Sequence, residues 1–525
     1  MNIKSILILL VILTIISCKK KPDIEIVKEV KIEVSESGKI IPLDSTSIAI
    51  LNDSLAIKFY AANDNRTFWI SDYSRDNLLN TFKNAEKEGV STTYFDLTTI
   101  QNKEDSIKQL SDKALISYDY LLTQNLIKYI HKTAQGTLKP KEIYTDWELK
   151  ENQINFTELL LNFQKKNNFE NAMAEVAPKH IVYKKLKKAL EIIDSYPDTS
   201  FEPIKVDGKI VLHDTIETIK EVKKRLMYWK DLKKLDSITP IYDEDTELAI
   251  KIFQMRHGLA PDGVIGFGTV NALNVTKQKR KQQIIVNMER WRWFPRNFED
   301  EYIILNIPDY TLHTVKKNDT TRTHKAIVGT AARKTPVLSS KLSHLVFNPT
   351  WTVPPTIKAK DMIPSIAKDR NYIRQKNISI YDANGKSISA EDWDVKKASS
   401  YRYVQSPGSS NALGLVKIMF PNNFLVYLHD TNSRSFFERE NRSLSSGCVR
   451  VQNPFELSEY ILDNPKWQLE DINNLIKQGK TRDVKVEKDM YVHLLYWTAW
   501  SDKGALQFRD DFYNLDGELY NKLRN

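Results

Sequence analysis

Residues 427–462 read YLHDTNSRSFFERENRSLSSGCVRVQNPFELSEYIL. His429 closes an apolar stretch, FLVYLHD (424–430), with the composition of a strand. Cys448 follows 19 residues later, in Ser445-Ser446-Gly447-Cys448-Val449-Arg450. An imidazole beside a thiol can take its proton and stabilise the thiolate, the arrangement of a cysteine nucleophile. Gly447 lets the backbone approach closely, so amides near Cys448 are candidate donors to a developing oxyanion. Arg450 is near enough in sequence to hold a substrate carboxylate in its planar fork; the alternative is a structural ion pair with Glu438, Glu440 or another acid. Tyr427 shares a strand face with His429, whereas Asp430 points to the opposite face and is expected to be structural.

The surrounding chain also reads as strands. YIILNIPDYTLHTV (302–315) predicts a hairpin around Pro308-Asp309. AIVGT, HLVFNPTW, LVKIMF and FLVYLHD predict further strands, the last two joined by a turn at Pro421-Asn422-Asn423. Residues 355–404 interrupt this pattern with a charged stretch and offer Met362, Ile363, Ile366, Tyr372 and Ile373 as an apolar face. They read as an insertion into a β domain, positioned as a lid.

Upstream, TELAIKIFQMRHGLAPDGVIGFGTVNALN (246–274) places Ala249, Phe253 and Gln254 on one helix that ends at Gly258-Leu259. Asp262-Gly263 and Gly266 form a tight loop, and Thr269 is expected to cap a second helix carrying Leu273. The spacing F-Q…G-L…D-G…G…T…L resembles that of the peptidoglycan-binding-domain family, a small three-helix module. A basic helix over 277–293, ending MERWRWFP, leads out of it as a linker (279–300). Earlier still, Ile48, Leu51, Leu55 and Phe59 recur at helical spacing from Thr46, and a strong helix runs over 114–131. Residues 45–205 therefore read as a helical scaffold, with His131 and His180 as packing or surface residues.

The N-terminus carries an address. Lys4 precedes the apolar run ILILLVILTII (6–16), which is too short to span a bilayer and matches a secretory signal. Ile15-Ile16-Ser17-Cys18 resembles the lipobox of bacterial lipoproteins. That resemblance implies cleavage after Ser17 and lipid on Cys18, so a chain held outside the cytosol on a membrane. Lys19, Lys20 and Lys21 follow, and residues 22–44 read as a tether.

Composition agrees with a soluble multidomain protein. The 525 residues carry 77 basic and 67 acidic groups, a net charge of +10, and 41% apolar residues. That mix excludes wholesale disorder and a multi-span membrane protein, and nothing in it demands nucleic acid. With only Cys18 and Cys448, neither a disulfide framework nor a multi-cysteine zinc site is available. Each thiol needs its own explanation, and catalysis explains one that stays reduced outside the cytosol.

His429…Ser446-Gly447-Cys448-Val449-Arg450…Asn453 resembles the signature of the L,D-transpeptidases, with their YkuD-type catalytic domain. RKTP (333–336), FNPTWTVP (347–354), PGSSNALG (407–414) and the LLYWTAW…GALQFRDDFY region resemble the family's large periplasmic branch. The resemblance implies a multidomain α+β protein: helical scaffold, peptidoglycan-binding module (206–278), then a mostly-β catalytic domain (301–525) with a capping insertion. It implies a two-step acyl transfer on peptidoglycan tetrapeptide stems and 3→3 cross-links. Cys448 would be the nucleophile, His429 the base and acid, and Gly447 an oxyanion-hole amide. Ser446, Arg450, Asn453 and Tyr427 would bind substrate. Neither a metal nor an organic cofactor is implied. Hydrolysis or protein-to-wall linkage would use the same thioester. Many members carry histidine where this chain has Ser446, which leaves the group that orients His429 open, a backbone carbonyl included. Two other chemistries lack their motifs. Ser365-Ile366-Ala367-Lys368 has the S-x-x-K form of a serine transpeptidase without a K-T-G, and no H-E-x-x-H exists for a zinc hydrolase.

Overall fold

The alternating strands after residue 300 assemble into one long twisted sheet, seen here in a computed structural model that describes residues 36–165 and 169–524. The leader, Cys18 and most of the tether, up to residue 35, lie outside the described residues. The hairpin forms as its sequence predicts, with Glu301–Asn306 paired antiparallel to Thr311–Lys316. The sheet continues through Asp319–Gly329, Val449–Val451, Leu428–His429, Val416–Met419 and His344–Phe347 to Arg482–Lys485. On the hairpin's other side come Tyr491–Leu495, Val337–Lys341 and the short Trp147–Glu148. The FLVYLHD strand is shorter than its composition suggests. Leu425 takes a left-handed φ of 56° in the preceding turn, so only Leu428–His429 pairs. In that turn the Asn422 side-chain oxygen accepts the Phe424 and Val426 amides, each at 3.1 Å.

The insertion is real and self-contained. His344–Phe347 and Val416–Met419 are direct sheet neighbours. Between them the chain leaves to build a separate four-stranded sheet, in the order Trp351–Thr352, Arg402–Gln405, Ile378–Tyr381, Ser387–Ile388. Met362, Ile366 and Ile373 bury against Trp393 and Tyr403 in its own core, with Ile363 and Tyr372 packed alongside. These side chains hold the subdomain together instead of forming a free apolar face.

Residues 277–293 depart most from expectation. The linker expected over 279–300 is instead the central helix Lys277–Trp293, buried on every side from Ile284 to its end. A helix enclosed all round belongs to a core, and this one packs against Ile181–Asp194 and Asp516–Arg524. Its charged residues find partners both far along the chain and within the helix. Arg290 pairs with Asp516, and Arg292 pairs with Glu289 at 2.9 Å. The expected helical unit over 45–205 accordingly divides. Most of its part between Leu43 and Val176 has its own core, while Tyr144, Trp147 and Leu149 join Ile181–Asp194 in the core of the long sheet. Within that unit the pattern from Thr46 forms two helices, Ser45–Ala49 and Ser54–Ala61, because Asp53 caps the second by accepting the Leu55 amide at 2.7 Å. The long helix is Asp112–Ala134, with Tyr118, Leu122, Leu126 and Tyr129 buried. His131 stacks on Phe156 and His180 on Trp291, both packing residues.

The small helical module contains Thr218–Tyr228, Glu244–Arg256 and Phe267–Leu273. Thr269 does not cap the last helix: Gly266 occupies that position without a side-chain bond. The buried Gln254 amide organises the loop instead. It accepts from the Gly263 N–H at 2.9 Å and donates to Asp262 (2.9 Å), the Val264 carbonyl (3.0 Å) and Thr269 (3.2 Å). That network explains the F-Q…D-G…T spacing.

Candidate functional site

Three adjacent strands set the site by register and period-two alternation. Lys417 on Val416–Met419 pairs with His429, and His429 pairs with Arg450 on Val449–Val451. Paired residues share a sheet face, so these three form one cross-strand row. The Val449 N–H donates to the Tyr427 carbonyl at 3.1 Å, which sets Tyr427 beside Cys448 in the next row of that face. Residues between them, Ile418, Leu428 and Val449, are fully buried on the core side. The apolar half of each short strand thus anchors the sheet, and the polar half gathers a thiol, an imidazole, a phenol and two cations. Tyr427 packs 5.6 Å from His429 edge to face, and the Lys417 ammonium lies 4.0 Å above the Tyr427 ring.

Burial dominates the electrostatics. It pushes the Cys448 thiol up, opposed by Tyr427, Lys417 and Arg450. It drives the His429 imidazole down to about 3, and the neighbouring Arg450 charge acts in the same direction. At neutral pH both groups therefore rest uncharged, with the imidazole able to accept the thiol proton as attack begins. Among the described residues no side-chain carboxylate orients the ring. Its Nδ1 lacks a well-formed hydrogen bond, so the favourable pull of the Leu413 and Asp430 backbones is weak. Asp430 is structural, as its strand position predicts: it is buried and accepts the Leu415 N–H at 2.9 Å. The depressed imidazole carries a pH expectation. An unfolded histidine takes up its proton near pH 6.5, so as pH falls from there toward about 3 the unfolded chain binds more protons and folded stability declines. Over the same window the imidazole stays neutral in the folded protein. kcat/KM should stay level between about pH 7 and pH 5, with no fall at the ordinary imidazole value; a stopped assay across that range checks it.

Gly447 has the left-handed φ of 111° that favours glycine, and a Cβ there would lie 3.2 Å from the Lys334 carbonyl oxygen. Its amide is not available to an oxyanion, because it donates to the Ser445 hydroxyl at 3.2 Å. Among the described residues no hydrogen bond engages the Cys448 N–H, which makes that amide the better donor. The turn is held from below by RKTP. The Thr335 hydroxyl donates to the Gly447 carbonyl at 2.8 Å, and the Tyr513 hydroxyl accepts the Thr335 N–H at 2.9 Å. Arg333 donates to the Ser446 hydroxyl at 2.8 Å and forks onto Asp361 of the insertion at 2.6 and 2.9 Å. Ser446 thus joins the Cys448 turn to the inserted subdomain.

Arg450 takes neither expected ion pair. Glu438 pairs with Lys325 at 2.8 Å, and no carboxylate among the described residues comes within salt-bridge distance of the Arg450 guanidinium. Its Nε has no partner. Asn453 departs from its expected role: it opens the helix Pro454–Leu462 with φ 50° and lines a separate cleft with Asp430, Arg434 and Glu438. Lys417 escaped the sequence reading, although it is the one charged residue in LVKIMF and its alternation with Val416 and Ile418 places it on a polar face. Ser365, of the S-x-x-K tetrad, donates to the Asp361 carbonyl at 2.7 Å inside the insertion.

Comparisons with known proteins match three segments of the chain. Residues 54–190 match a scaffold domain, 215–273 a putative peptidoglycan binding domain, and 300–484 the L,D-transpeptidase catalytic domain. A putative L,D-transpeptidase of Haemophilus influenzae is 36% identical over 241 residues, covering 45% of this chain and 49% of that protein. The chain thus spans about half the length of the curated relative it matches. The crystal structure of an L,D-transpeptidase from Xylanimonas cellulosilytica aligns with 56% of this chain and 100% of its own, at 15% identity and a TM-score of 0.19. One from Stackebrandtia nassauensis covers 56% of this chain and 97% of its own, at 13% identity and a TM-score of 0.21.

Proposed function

We propose that this chain, in which an L,D-transpeptidase catalytic domain at 300–484 follows a peptidoglycan-binding domain at 215–273, forms 3→3 cross-links in peptidoglycan through a thioester on Cys448. The Cys448 sulfur attacks the carbonyl of the third residue of a tetrapeptide stem while His429 takes the thiol proton. The carbon–nitrogen bond to the terminal D-alanine breaks, and His429 returns the proton to the departing amine. The amine of a second stem's diamino acid then attacks the thioester, loses a proton to His429, and the thiol re-forms. The reading is carried by one juxtaposition: Cys448 and His429 share a sheet face with two cations and a phenol. In this reading the Cys448 amide and the Tyr427 hydroxyl hold the oxyanion, since fixed donors act most strongly in a desolvated site.

Purified tetrapeptide muropeptides incubated with the protein test it. The reading expects a dimer lighter than two monomers by one D-alanine; a monomer shortened by one residue would make water the acceptor, and unchanged masses would reject acyl transfer.

Arg450 is the proposed carboxylate clamp, since its fork lacks an internal acid. Arg450→Lys keeps the charge and loses the planar pair of donors. A fall in kcat/KM of about tenfold or more, on the scale of one charge-assisted hydrogen bond, is expected with normal folding. Unchanged kinetics would reject the clamp. The reading also places the chain on the outer side of a membrane, held by lipid on Cys18. Cys18→Ala should abolish incorporation of a labelled fatty acid; label persisting on that variant would remove the anchor.

A further inference from the structure

Away from the cysteine, a cleft of about 500 Å³ opens where three parts of the chain meet. Asn271 and Ala272 of the small helical module form one wall, Lys279 and Arg280 of the central helix a second, and Asp510 and Tyr520 of the C-terminal segment a third. Its charge arrangement is unusual. Burial holds the His257 imidazole well below its ordinary value, and three guanidinium groups around it, Arg256, Arg280 and Arg509, push in the same direction. Two of the three have carboxylate partners: Arg256 pairs with Asp231, and Arg509 with Asp309. Arg280 has none within salt-bridge distance among the described residues. It is 6% exposed, lies 4.4 Å from the centre of the Phe508 ring, donates among the described residues to the Gln283 side chain (3.0 Å) and the Ala272 carbonyl (3.3 Å), and leaves Nε without a partner. A buried cation without an anion is unfavourable, and a ligand carboxylate relieves it. At the same cleft Lys279 and Asp510 are exposed and form no ion pair among the described residues, so cationic and anionic contacts stand together.

We propose that this cleft is a second, non-catalytic binding site for a peptidoglycan stem, taking the zwitterionic end of its diamino acid: carboxylate toward Arg280 and Lys279, ammonium toward Asp510. The ligand class rests on the proposed function, and the site rests on the cleft and its unbalanced arginine. Because its walls come from the wall-binding module, the central helix and the catalytic domain's C-terminal segment, a stem bound there braces the module against the catalytic domain.

A tetrapeptide stem carrying a photoreactive diazirine, irradiated with the full chain and mapped by peptide mass spectrometry, tests this. Label is expected in peptides spanning 271–283 and 509–520 as well as near Cys448. The double variant Lys279→Glu/Asp510→Lys, at exposed positions that leave the core intact, should lose at least tenfold of the junction label and keep the label near Cys448. Acetylating the stem's free amine should weaken junction labelling of the wild type likewise. Junction label absent in the wild type, or equal in wild type and double variant, overturns the proposal. Junction label that persists while Cys448 neither labels nor turns over would overturn the transpeptidase reading and leave the cleft standing.

Discussion

Cys448→Ser is expected to reduce turnover by more than about 10³-fold, the scale on which loss of a nucleophile acts. A hydroxyl in this site is a far weaker nucleophile than a thiol whose proton has a base waiting. The structure sharpens the expectation because the imidazole is buried and depressed to about 3. Such a base can share a thiol's proton as the sulfur attacks, but it is too weak to draw one from an alcohol. His429→Ala should leave the thiol present and slow to acylate, with a loss of the same order, and the two losses should not add, since the residues act as a unit. A carbapenem should acylate the wild type at Cys448; intact mass after carbapenem treatment reads this directly, and an adduct on Cys448→Ala would refute the assignment.

Gly447→Ala should have the next largest effect. The left-handed φ of 111° is strained for any residue with a Cβ, and the new carbon would press on the Lys334 carbonyl at 3.2 Å. Backbone strain of this kind amounts to about 1–3 kcal/mol. It would fall on the turn that presents the Cys448 amide, so we expect kcat/KM to drop about 10–100-fold, with a matching fall in the denaturant midpoint. Thr335→Val removes the hydroxyl that supports the Gly447 carbonyl without adding strain and should lose less. Equal activity of the Gly447→Ala and wild-type proteins would mean that the turn has no part in catalysis.

Much of the site was legible because strand alternation is local. Tyr427 with His429, and Cys448 with Arg450, are each two residues apart, and period two alone puts each pair on one face. Lys417 belongs to the same face, but only the pairing of Val416–Met419 with Leu428–His429 reveals it, and pairing is a long-range fact. Gly447 was read correctly as a point of close approach and wrongly as a free donor, because the Ser445 hydroxyl that takes its amide depends on turn geometry. The central helix misled for a related reason. Its sequence reads only as a basic linker helix, and the burial of Arg290 becomes intelligible only when Asp516, over 200 residues away, is seen beside it. RKTP and the terminal FRDDFY segment were recognisable as motifs, yet their task was not: Thr335 and Tyr513 are the floor under the catalytic turn.

The central claim is that Cys448 forms a thioester with a peptidoglycan stem and passes it to an amine. Rapid acid quenching of the wild-type protein with a tetrapeptide muropeptide, followed by peptide mass mapping, tests it most directly. The account predicts a transient adduct on the Cys448 peptide equal to the muropeptide less D-alanine, discharged on addition of an amine-bearing stem with formation of the cross-linked dimer. A dimer formed at the wild-type rate by Cys448→Ala, or an adduct on any other residue, would contradict it.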